Sequence, residues 1–400
     1  MSRRRKIIIL ILAVVAIGGI AYYFFVYQKE TPTTPAPSPR RGFLPEALNR
    51  ILGRPTPPPR VVAPTPISPA SRLRERLYRI SQEPAFPPAI APSGKEVYYM
   101  TRAKGELWQS DFEGLKTERV LDAPRPNVIE MAWASSGDKA VYTAVDATDM
   151  PRKYFLDIAT KKTTELNRYI RAAAFSPKGD KIVYHYLNTT NGDDTIAVAN
   201  PDGSDFKTLF RPPLEDFLLS WPNEDTIVMQ TKPSYASLTH LYALNARNGT
   251  LTKILPQDHH GLDAVWSGDG SRFFASRVTS EGDMTHAIAG TLLQTQSREL
   301  FGILTLAQKC AWRRDNAAVI CGVPSVISEG TQFPDDYYKG VFVSADNVVQ
   351  VNVETLASRT VIRSQETFPV LDVTNPILSP DESRIFFVNR RDGYVYALRL

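Results

Sequence analysis

The sequence predicts an all-β fold, a seven-bladed β-propeller of four-stranded antiparallel blades, and three observations predict it. A marker residue, a polar turn and an apolar strand recur seven times. Successive markers are 43, 42, 46, 45, 46 and 66 residues apart, and five of these intervals fit one propeller blade. A strand-like segment at residues 76–81 precedes the first copy and has no partner nearby. The markers are the large apolar residues Ile90, Trp133, Phe175, Trp221, Trp266, Trp312 and Leu378.

Each repeat carries the residues of a tight hairpin turn. In SPKGD at Ser176 and SGDGS at Ser267, Ser and Asp oxygens can accept backbone N–H bonds, and Gly supplies a positive φ. Two further strand candidates follow most turns, so that a repeat supplies the four strands of one blade. We expect the marker residues to pack between neighbouring blades, because burial explains so many large apolar side chains better than ligand stacking.

The end of the chain indicates how the ring closes. The seventh copy reaches Leu400 after only three strands, which would leave one sheet edge exposed. Residues 76–81 (RLYRIS) have the composition of a strand, and we expect them to pair with residues 394–398. A six-bladed ring with an irregular extra unit is the alternative.

These AWSxxGDKxVY-like repeats resemble the TolB-type, WD40-like propeller repeat. The turns at Ser176 (SPKGD) and Ser379 (SPDES) are the closest matches to its Ser-Pro-Asp-Gly turn, and the resemblance covers residues 76–400. It implies the fold more than an activity, because similar blades occur in periplasmic scaffolds, in peptidase propellers and in uncharacterised envelope proteins. TolB has a cleaved signal and a separate α/β domain, whereas we expect a membrane anchor and a stalk before the propeller here, so TolB's partners do not carry over.

The amino terminus predicts a single membrane span. Residues 7–26 form a run of 20 uncharged, mostly apolar residues, long enough for a helix to cross a bilayer, and we place the span at residues 7–27. Three arginines and a lysine within residues 1–6 precede it, which favours a cytoplasmic amino terminus and an extracytoplasmic remainder in the cell membrane. A cleaved signal peptide is the alternative, but the run is longer than a signal core and no A-x-A-like site follows it.

Residues 28–75 are predicted to form a stalk. Twelve prolines lie between Thr31 and Ala70, which favours an extended polyproline-like chain. Residues 43–52 within it have the apolar spacing of a short helix. Residues 1–80 carry a net charge of +11 and the rest −6, so that the basic pI belongs to the tail and predicts no nucleic-acid partner.

Both cysteines lie in the hairpin of the sixth repeat. A reversal at Asp315 and Asn316 would place Cys310 opposite Cys321. A cross-strand disulfide is then possible, and an exported domain permits it. Two buried free thiols are the alternative, and the spacing suggests no metal site.

The long sixth interval contains an insertion at residues 322–340, between the second and third strands of blade six. Loops of this class leave the same rim as those joining successive blades, so the insertion should overhang the central channel. Its acidic and aromatic residues suit a recognition surface, whereas the alternative is a self-packed insertion among solvated charges. The candidate binding residues of this rim are Phe333, Asp335, Asp336, Tyr337, Tyr338, His259, His260, Arg125, Arg390 and Arg391.

Enzymatic signatures are missing from the sequence. It contains no G-x-S-x-G, H-E-x-x-H, C-x-x-C, P-loop or dinucleotide-binding motif, and we expect no catalytic residue, cofactor or metal. The function predicted is a binding scaffold for a protein, a peptide or a cell-envelope polymer. The alternative is a hydrolase of glycans or peptides with Asp335 and Asp336 as the acid and base on the rim.

Overall fold

The computed structural model describes residues 75–122, 127–188, 190–212, 217–292 and 297–400. The predicted span at residues 7–27, the helix at 43–52 and the stalk up to residue 74 lie outside the described residues. Within the described ranges no helix is both long enough and apolar enough to span a bilayer.

The described residues form seven antiparallel sheets, six of four strands and one of five. The strands up to the third blade are β1 (Leu77–Arg79), β2 (Ala89–Ile90), β3 (Glu96–Met100), β4 (Leu107–Asp111), β5 (Thr117–Leu121), β6 (Val128–Trp133), β7 (Lys139–Val145), β8 (Pro151–Asp157), β9 (Lys162–Glu165), β10 (Ile170–Phe175), β11 (Ile182–Asn188), β12 (Asp193–Ala199) and β13 (Lys207–Phe210). Those of blades four and five are β14 (Phe217–Asn223), β15 (Thr226–Thr231), β16 (Leu238–Thr239), β17 (Leu241–Asn245), β18 (Leu251–Lys253), β19 (His259–Trp266), β20 (Arg272–Val278), β21 (Ala287–Thr291) and β22 (Ser297–Leu300). Those of blades six and seven are β23 (Cys310–Trp312), β24 (Ala318–Pro324), β25 (Asp346–Asn352), β26 (Ser358–Ile362), β27 (Val373–Leu378), β28 (Arg384–Asn389) and β29 (Val395–Arg399).

Three short helical segments lie in and around blade six. The helical segments are the 3₁₀ turn Ala307–Lys309 before β23, the single-turn helix α1 (Asp335–Tyr338) between β24 and β25, and the 3₁₀ turn Ser364–Glu366 after β26. Blade five gains its fifth strand because β16 leaves blade four and pairs with β19. The sequence repeats did not predict this exchange.

The amino-terminal strand closes the ring as predicted. Strand β1 pairs antiparallel with β29, with Leu77 opposite Leu398 and Arg79 opposite Tyr396, and it completes the four strands of blade seven. The Tyr78 hydroxyl donates a 2.9 Å bond to the carbonyl of Phe112 in blade one. The seven-bladed arrangement is confirmed, and the six-bladed alternative is wrong.

The core lies between the blades. In the described part of the chain, seven apolar clusters each combine side chains of two successive sheets, and one of them joins blade seven to blade one. The marker residues pack in or against these clusters, as predicted. The indole N–H groups of Trp133 and Trp312 donate to carbonyls of the preceding blade, those of Pro87 at 2.8 Å and Val265 at 3.1 Å. Burying one such large apolar side chain contributes about 1.5–3 kcal/mol.

The repeated turns also fit against the neighbouring blade. Gly137 has a φ of +71°, and a Cβ there would come within 1.9 Å of the Ile90 carbonyl oxygen in blade one. Glycine is therefore required in this turn both for its backbone conformation and for the close approach.

A disulfide joins the first two strands of blade six. Cys310 and Cys321 lie opposite each other on β23 and β24, their Cα atoms are 4.0 Å apart, and their sulfur atoms are bonded. Asn316 takes a φ of +54° in the turn between these strands, where the sequence predicted the reversal. Both cysteines are buried in the core between blades five and six.

Candidate functional site

The insertion of blade six leaves the rim between β24 and β25, where the sequence predicted it. Its side chains form a small core with blade five: Phe333, Tyr337 and Phe342 pack with Val278 and Leu306. Phe333 and Tyr337, two candidate recognition residues, are buried there. The insertion thus packs against blade five as part of the folded domain, and these two aromatic rings belong to its core.

Asp335 and Asp336 accept hydrogen bonds from within the protein. Asp335 accepts a 3.0 Å bond from the Tyr235 backbone N–H and a 3.2 Å bond from the Ser234 hydroxyl, both in the loop after β15 of blade four. Asp336 accepts a 2.9 Å bond from the Gln332 N–H at the start of α1. The first carboxylate therefore ties the insertion to blade four, and the second closes its helical turn.

The two arginines of blade seven hold the insertion from the opposite side. Arg390 donates to the carbonyls of Phe342, at 3.1 Å, and of Tyr337, and its guanidinium lies 4.0 Å from the centre of the Tyr337 ring. Arg391 donates a 2.8 Å bond to the Ser344 carbonyl. Both arginines lie on this rim, where they donate hydrogen bonds to the insertion and to the segment that joins it to β25.

The histidine pair begins β19 on the same rim. His260 Nδ1 lies 2.7 Å from the Tyr235 carbonyl, a contact that requires the proton on Nδ1. Desolvation and the nearby Arg277 lower the pKa of His259. Among the residues that the structure describes, no three His, Cys, Asp or Glu side chains are grouped as a metal ion would require. Arg125 lies outside the described residues.

Tyr338 reaches the mouth of the central cavity. This cavity, of about 580 Å³, is lined by first strands of blades one, two, five, six and seven, with Met131, Val265 and Asp263 among its walls. The Tyr338 hydroxyl donates a 3.3 Å bond to Asp263. Desolvation raises the pKa of the Asp263 carboxyl above its ordinary value, although a bond from Gln230 opposes this. The insertion therefore contacts a residue that lines the central cavity.

A buried ionic network beneath the insertion was missed at the sequence level. Lys309 is 1 % exposed, and its Nζ lies 2.8 Å from Asp346 and 2.5 Å from Asp372, two fully buried carboxylates. Ser344 Oγ lies 3.0 Å from the same ammonium, and the Tyr337 hydroxyl donates to Asp372 at 3.2 Å. Desolvation opposes the charge on Lys309, but the combined attraction of the neighbouring acidic groups outweighs it and raises the pKa of Lys309, whereas desolvation raises the pKa of Asp346. Single charged residues within apolar segments were the available signal for these three.

Exposed apolar side chains lie on the insertion and on the segments next to it, in what we call the rim patch: Val326, Val341, Val343, Phe368 and Val370. Phe368 is 96 % exposed and Val341 72 %. Backbone bonds of 2.8 Å from Ser325 to Ala345 and from Asp346 to Leu371 hold the three segments that carry these residues side by side. Contiguous apolar patches on a protein surface often mark interaction sites.

Comparison with solved structures agrees with the propeller fold. An oligogalacturonate lyase from Vibrio parahaemolyticus superposes with a TM-score of 0.57 at 9 % identity, over 81 % of this chain and 93 % of that one. The Cps50 (Swd1) propeller domain of Myceliophteria thermophila gives 0.52 at 9 %, over 81 % and 99 %. TolB from Acinetobacter baumannii gives 0.44 at 14 %, over 81 % and 65 %.

The expected resemblance to TolB-type and WD40-like propellers is confirmed at the level of the fold. At 9 % identity the likeness to the lyase and to the Cps50 (Swd1) domain shows the fold alone, and the match to TolB carries no argument. No family model matches the chain, and no curated protein matches its sequence.

Proposed function

We propose that the chain is a membrane-tethered, extracytoplasmic propeller that binds a protein partner on the rim patch. The observation that carries the proposal is the grouping of five exposed apolar side chains on three adjacent segments of one rim. Interfaces between proteins concentrate apolar and aromatic side chains at their centre, and Phe368 supplies the aromatic ring. The partner surface is therefore apolar at its centre.

The support beneath the patch favours binding. Asp335 fixes the insertion to blade four, Arg390 fixes it to blade seven, and Lys309 joins the segments below. A surface held in this way loses little conformational entropy when a partner docks, so that more of the contact energy appears as affinity. Asp335 and Arg390, two of the candidate residues, thus support the surface from within, whereas the rim patch is its contact area.

The hydrolase alternative receives less support from the site. It requires Asp335 and Asp336 as acid and base, but both accept backbone N–H bonds from the protein itself. The lyase among the structural neighbours shares only 9 % of its residues with this chain, which carries no argument about activity.

The tether and the compartment rest on the sequence and the cysteines. Residues 7–27 are long and apolar enough to cross a bilayer, and the basic residues within 1–6 orient them. The Cys310–Cys321 disulfide suits an oxidising compartment outside the cytoplasm. The stalk then sets the distance between propeller and membrane.

Photo-crosslinking on the native membrane tests the binding surface. A photoreactive amino acid replaces Val341 in the full chain, and we expect one protein adduct, which is identified and purified. The affinity of the identified partner protein for the full chain should fall about thirtyfold when Phe368 is replaced by alanine, which is the loss typical of an aromatic hot spot. Phe206→Ala is the matched control, because Phe206 is also exposed but lies in the turn between β12 and β13, on the other rim. Equal affinities in wild type and Phe368→Ala, or no adduct from position 341, would exclude the rim patch.

Extraction experiments test the tether separately. We expect the full chain to stay in the membrane pellet at alkaline pH and to be released by detergent, and deletion of residues 7–27 to make it soluble. An external protease should digest the propeller in cells with an opened outer layer. Release of the intact full chain by alkali would refute the anchor without bearing on the rim patch.

A further inference from the structure

A second cavity opens on the rim at blades two, three and four, away from the insertion. Its volume is about 490 Å³, within the range of small-molecule sites. The walls come from the starts of β6 and β10 and the ends of β7 and β11, and the loop after β15 contributes Lys232. First strands start and second strands end on the rim that carries the insertion, so both surfaces belong to one face.

The charged lining of this cavity is basic. Lys153, Arg168, Arg171 and Lys232 line it, and Glu130 is the one carboxylate among its described lining residues. The described lining therefore has a formal charge of +3. A concave site with one sign of charge concentrates ligands of the opposite sign.

Glu130 is already paired with a cation of the described lining. Glu130 lies 2.9 Å from the Lys153 ammonium and accepts a 2.8 Å bond from the Thr143 hydroxyl. Desolvation opposes ionisation, but Lys153 outweighs it and lowers the pKa of Glu130, so that the carboxyl is charged at neutral pH. Lys153 is buried and also donates a hydrogen bond to the Thr143 hydroxyl. Glu130, Thr143 and Lys153 are therefore held in place by one another at the base of the cavity. Arg168, Arg171 and Lys232 are exposed around it.

The cavity also offers an apolar wall. Ile129 is 56 % exposed at the start of β6 and lines the cavity together with Ile170 and Leu187. Basic groups beside an apolar wall suit a ligand with an anionic group on a partly apolar body. Guanidinium groups bind carboxylate and phosphate oxygens through paired hydrogen bonds. Arg168 and Arg171 provide two guanidinium groups at this cavity.

We infer that this cavity, lined by Lys153, Arg168, Arg171 and Lys232, binds an oxyanion group carried by a small ligand of sugar size. The group is a carboxylate, as in an acidic sugar, or a phosphate. This site is separate from the rim patch, and its ligand is a second one.

Calorimetric titration of the full chain in nanodiscs of neutral lipid tests the inference. The probes are a glucuronate-containing disaccharide, its neutral glucose counterpart and inorganic phosphate. We expect an anionic probe to bind and the neutral one to fail, with weaker binding at about 150 mM than at about 10 mM salt because charge is screened. Binding of the acidic disaccharide alone identifies a carboxylate ligand, and binding of phosphate identifies a phosphate ligand.

Variants decide whether the probe binds in this cavity. Arg171→Gln and Lys232→Gln should each weaken binding about tenfold, the usual loss for a hydrogen bond to a charged group. Lys95→Gln is the matched control, since this exposed lysine lies in the β2–β3 turn on the opposite rim. Glu130→Gln should tighten binding severalfold because it removes the negative charge, and a variant that merely misfolds could not do so.

The inference fails if no anionic probe binds, if the neutral disaccharide binds equally well, or if neither Arg171→Gln nor Lys232→Gln weakens binding. Weaker binding in Glu130→Gln would contradict the sign of the electrostatic argument. None of these results affects the crosslinking test of the rim patch.

Discussion

Replacing Lys309 by methionine should test the buried network under the insertion. The substitution keeps an unbranched side chain of similar size and removes the charge. Asp346 and Asp372 then remain fully buried beside each other without their cation, which lies 2.8 and 2.5 Å from them in the native protein. Removing one member of a buried ion pair costs about 3–5 kcal/mol.

The protein can limit this loss by taking up a proton. Protonating one carboxyl of ordinary pKa costs about 4 kcal/mol at pH 7, because each pKa unit is worth about 1.4 kcal/mol. At pH 5 the same step costs about 1.5 kcal/mol. We therefore expect Lys309→Met to lower the free energy of unfolding by about 4 kcal/mol at pH 7, and by about 2–3 kcal/mol less than that at pH 5.

The sign follows from the direction of the shift. Desolvation already raises the pKa of Asp346 in the native protein, and loss of the lysine raises it further. A carboxyl whose folded pKa is raised stabilises the fold below its unfolded pKa, near 4, and loses that contribution as the pH rises. The destabilisation of the variant must therefore grow from pH 5 to pH 7.

Guanidinium unfolding followed by tryptophan fluorescence measures the effect at both pH values. Lys104→Met is the control, because Lys104 forms an exposed pair with Glu83 at 3.4 Å and should contribute less than about 1 kcal/mol. Adding Asp346→Asn and Asp372→Asn to Lys309→Met should restore part of the stability. A loss below about 1 kcal/mol, or one of equal size at the two pH values, would refute this account of the network.

Three further predictions concern the ring, its turns and its disulfide. Tyr78→Ala should cost about 3–5 kcal/mol in the same unfolding assay, because the ring is buried where β1 closes blade seven; an unchanged stability would deny β1 its role. Hydrogen bonds from the Ser379 hydroxyl and then from Ser383 lower the pKa of Asp381 to about 2. Asp381→Asn should therefore be less stable than the wild type at pH 6, and the difference in unfolding free energy should vanish as the pH falls from about 4 to about 2. A difference that stays constant with pH would contradict the lowered pKa. The double variant Cys310→Ala/Cys321→Ala should lose about 3 kcal/mol of unfolding free energy, and a reductant should lower the melting temperature of the wild type only. If the reductant lowered the melting temperatures of both proteins equally, the disulfide would not be what stabilises the fold.

The propeller was predictable because its information is local. Turns such as SPKGD at Ser176 contain, within five residues, the groups that fix a hairpin, and seven copies at blade spacing leave little choice of architecture. The closing strand at residues 76–81 followed by elimination, since blade seven lacked one strand. Strand β16 escaped prediction because its pairing with His259 and His260 belongs to the next blade and breaks the repeat.

The sequence predicted where the insertion lies in the chain, but it did not predict which residues the insertion contacts. An interval of 66 residues identified the insertion. Its partners are remote, however: Ser234 is 101 residues from Asp335, and Asp372 is 63 residues from Lys309. Composition alone cannot distinguish a carboxylate that meets a ligand from one that accepts a bond from a distant loop. The sequence therefore named Asp335 and Arg390 as binding candidates, and the structure shows that both form hydrogen bonds within the protein. That a partner contacts them stays a prediction.

The insertion divides one face of the propeller into two sectors. It contacts blades four, five and seven, and the rim patch lies on it and next to it in blades six and seven. The basic cavity at Lys153 and Arg171 has no lining residue in common with the patch. Substitutions at distant sites that share no partner residues usually act additively. A variant such as Phe368→Ala should consequently leave anion binding unchanged, and Arg171→Gln should leave partner binding unchanged. Coupling between the two would mean that the anionic group belongs to the partner itself and that the two sectors form one interface.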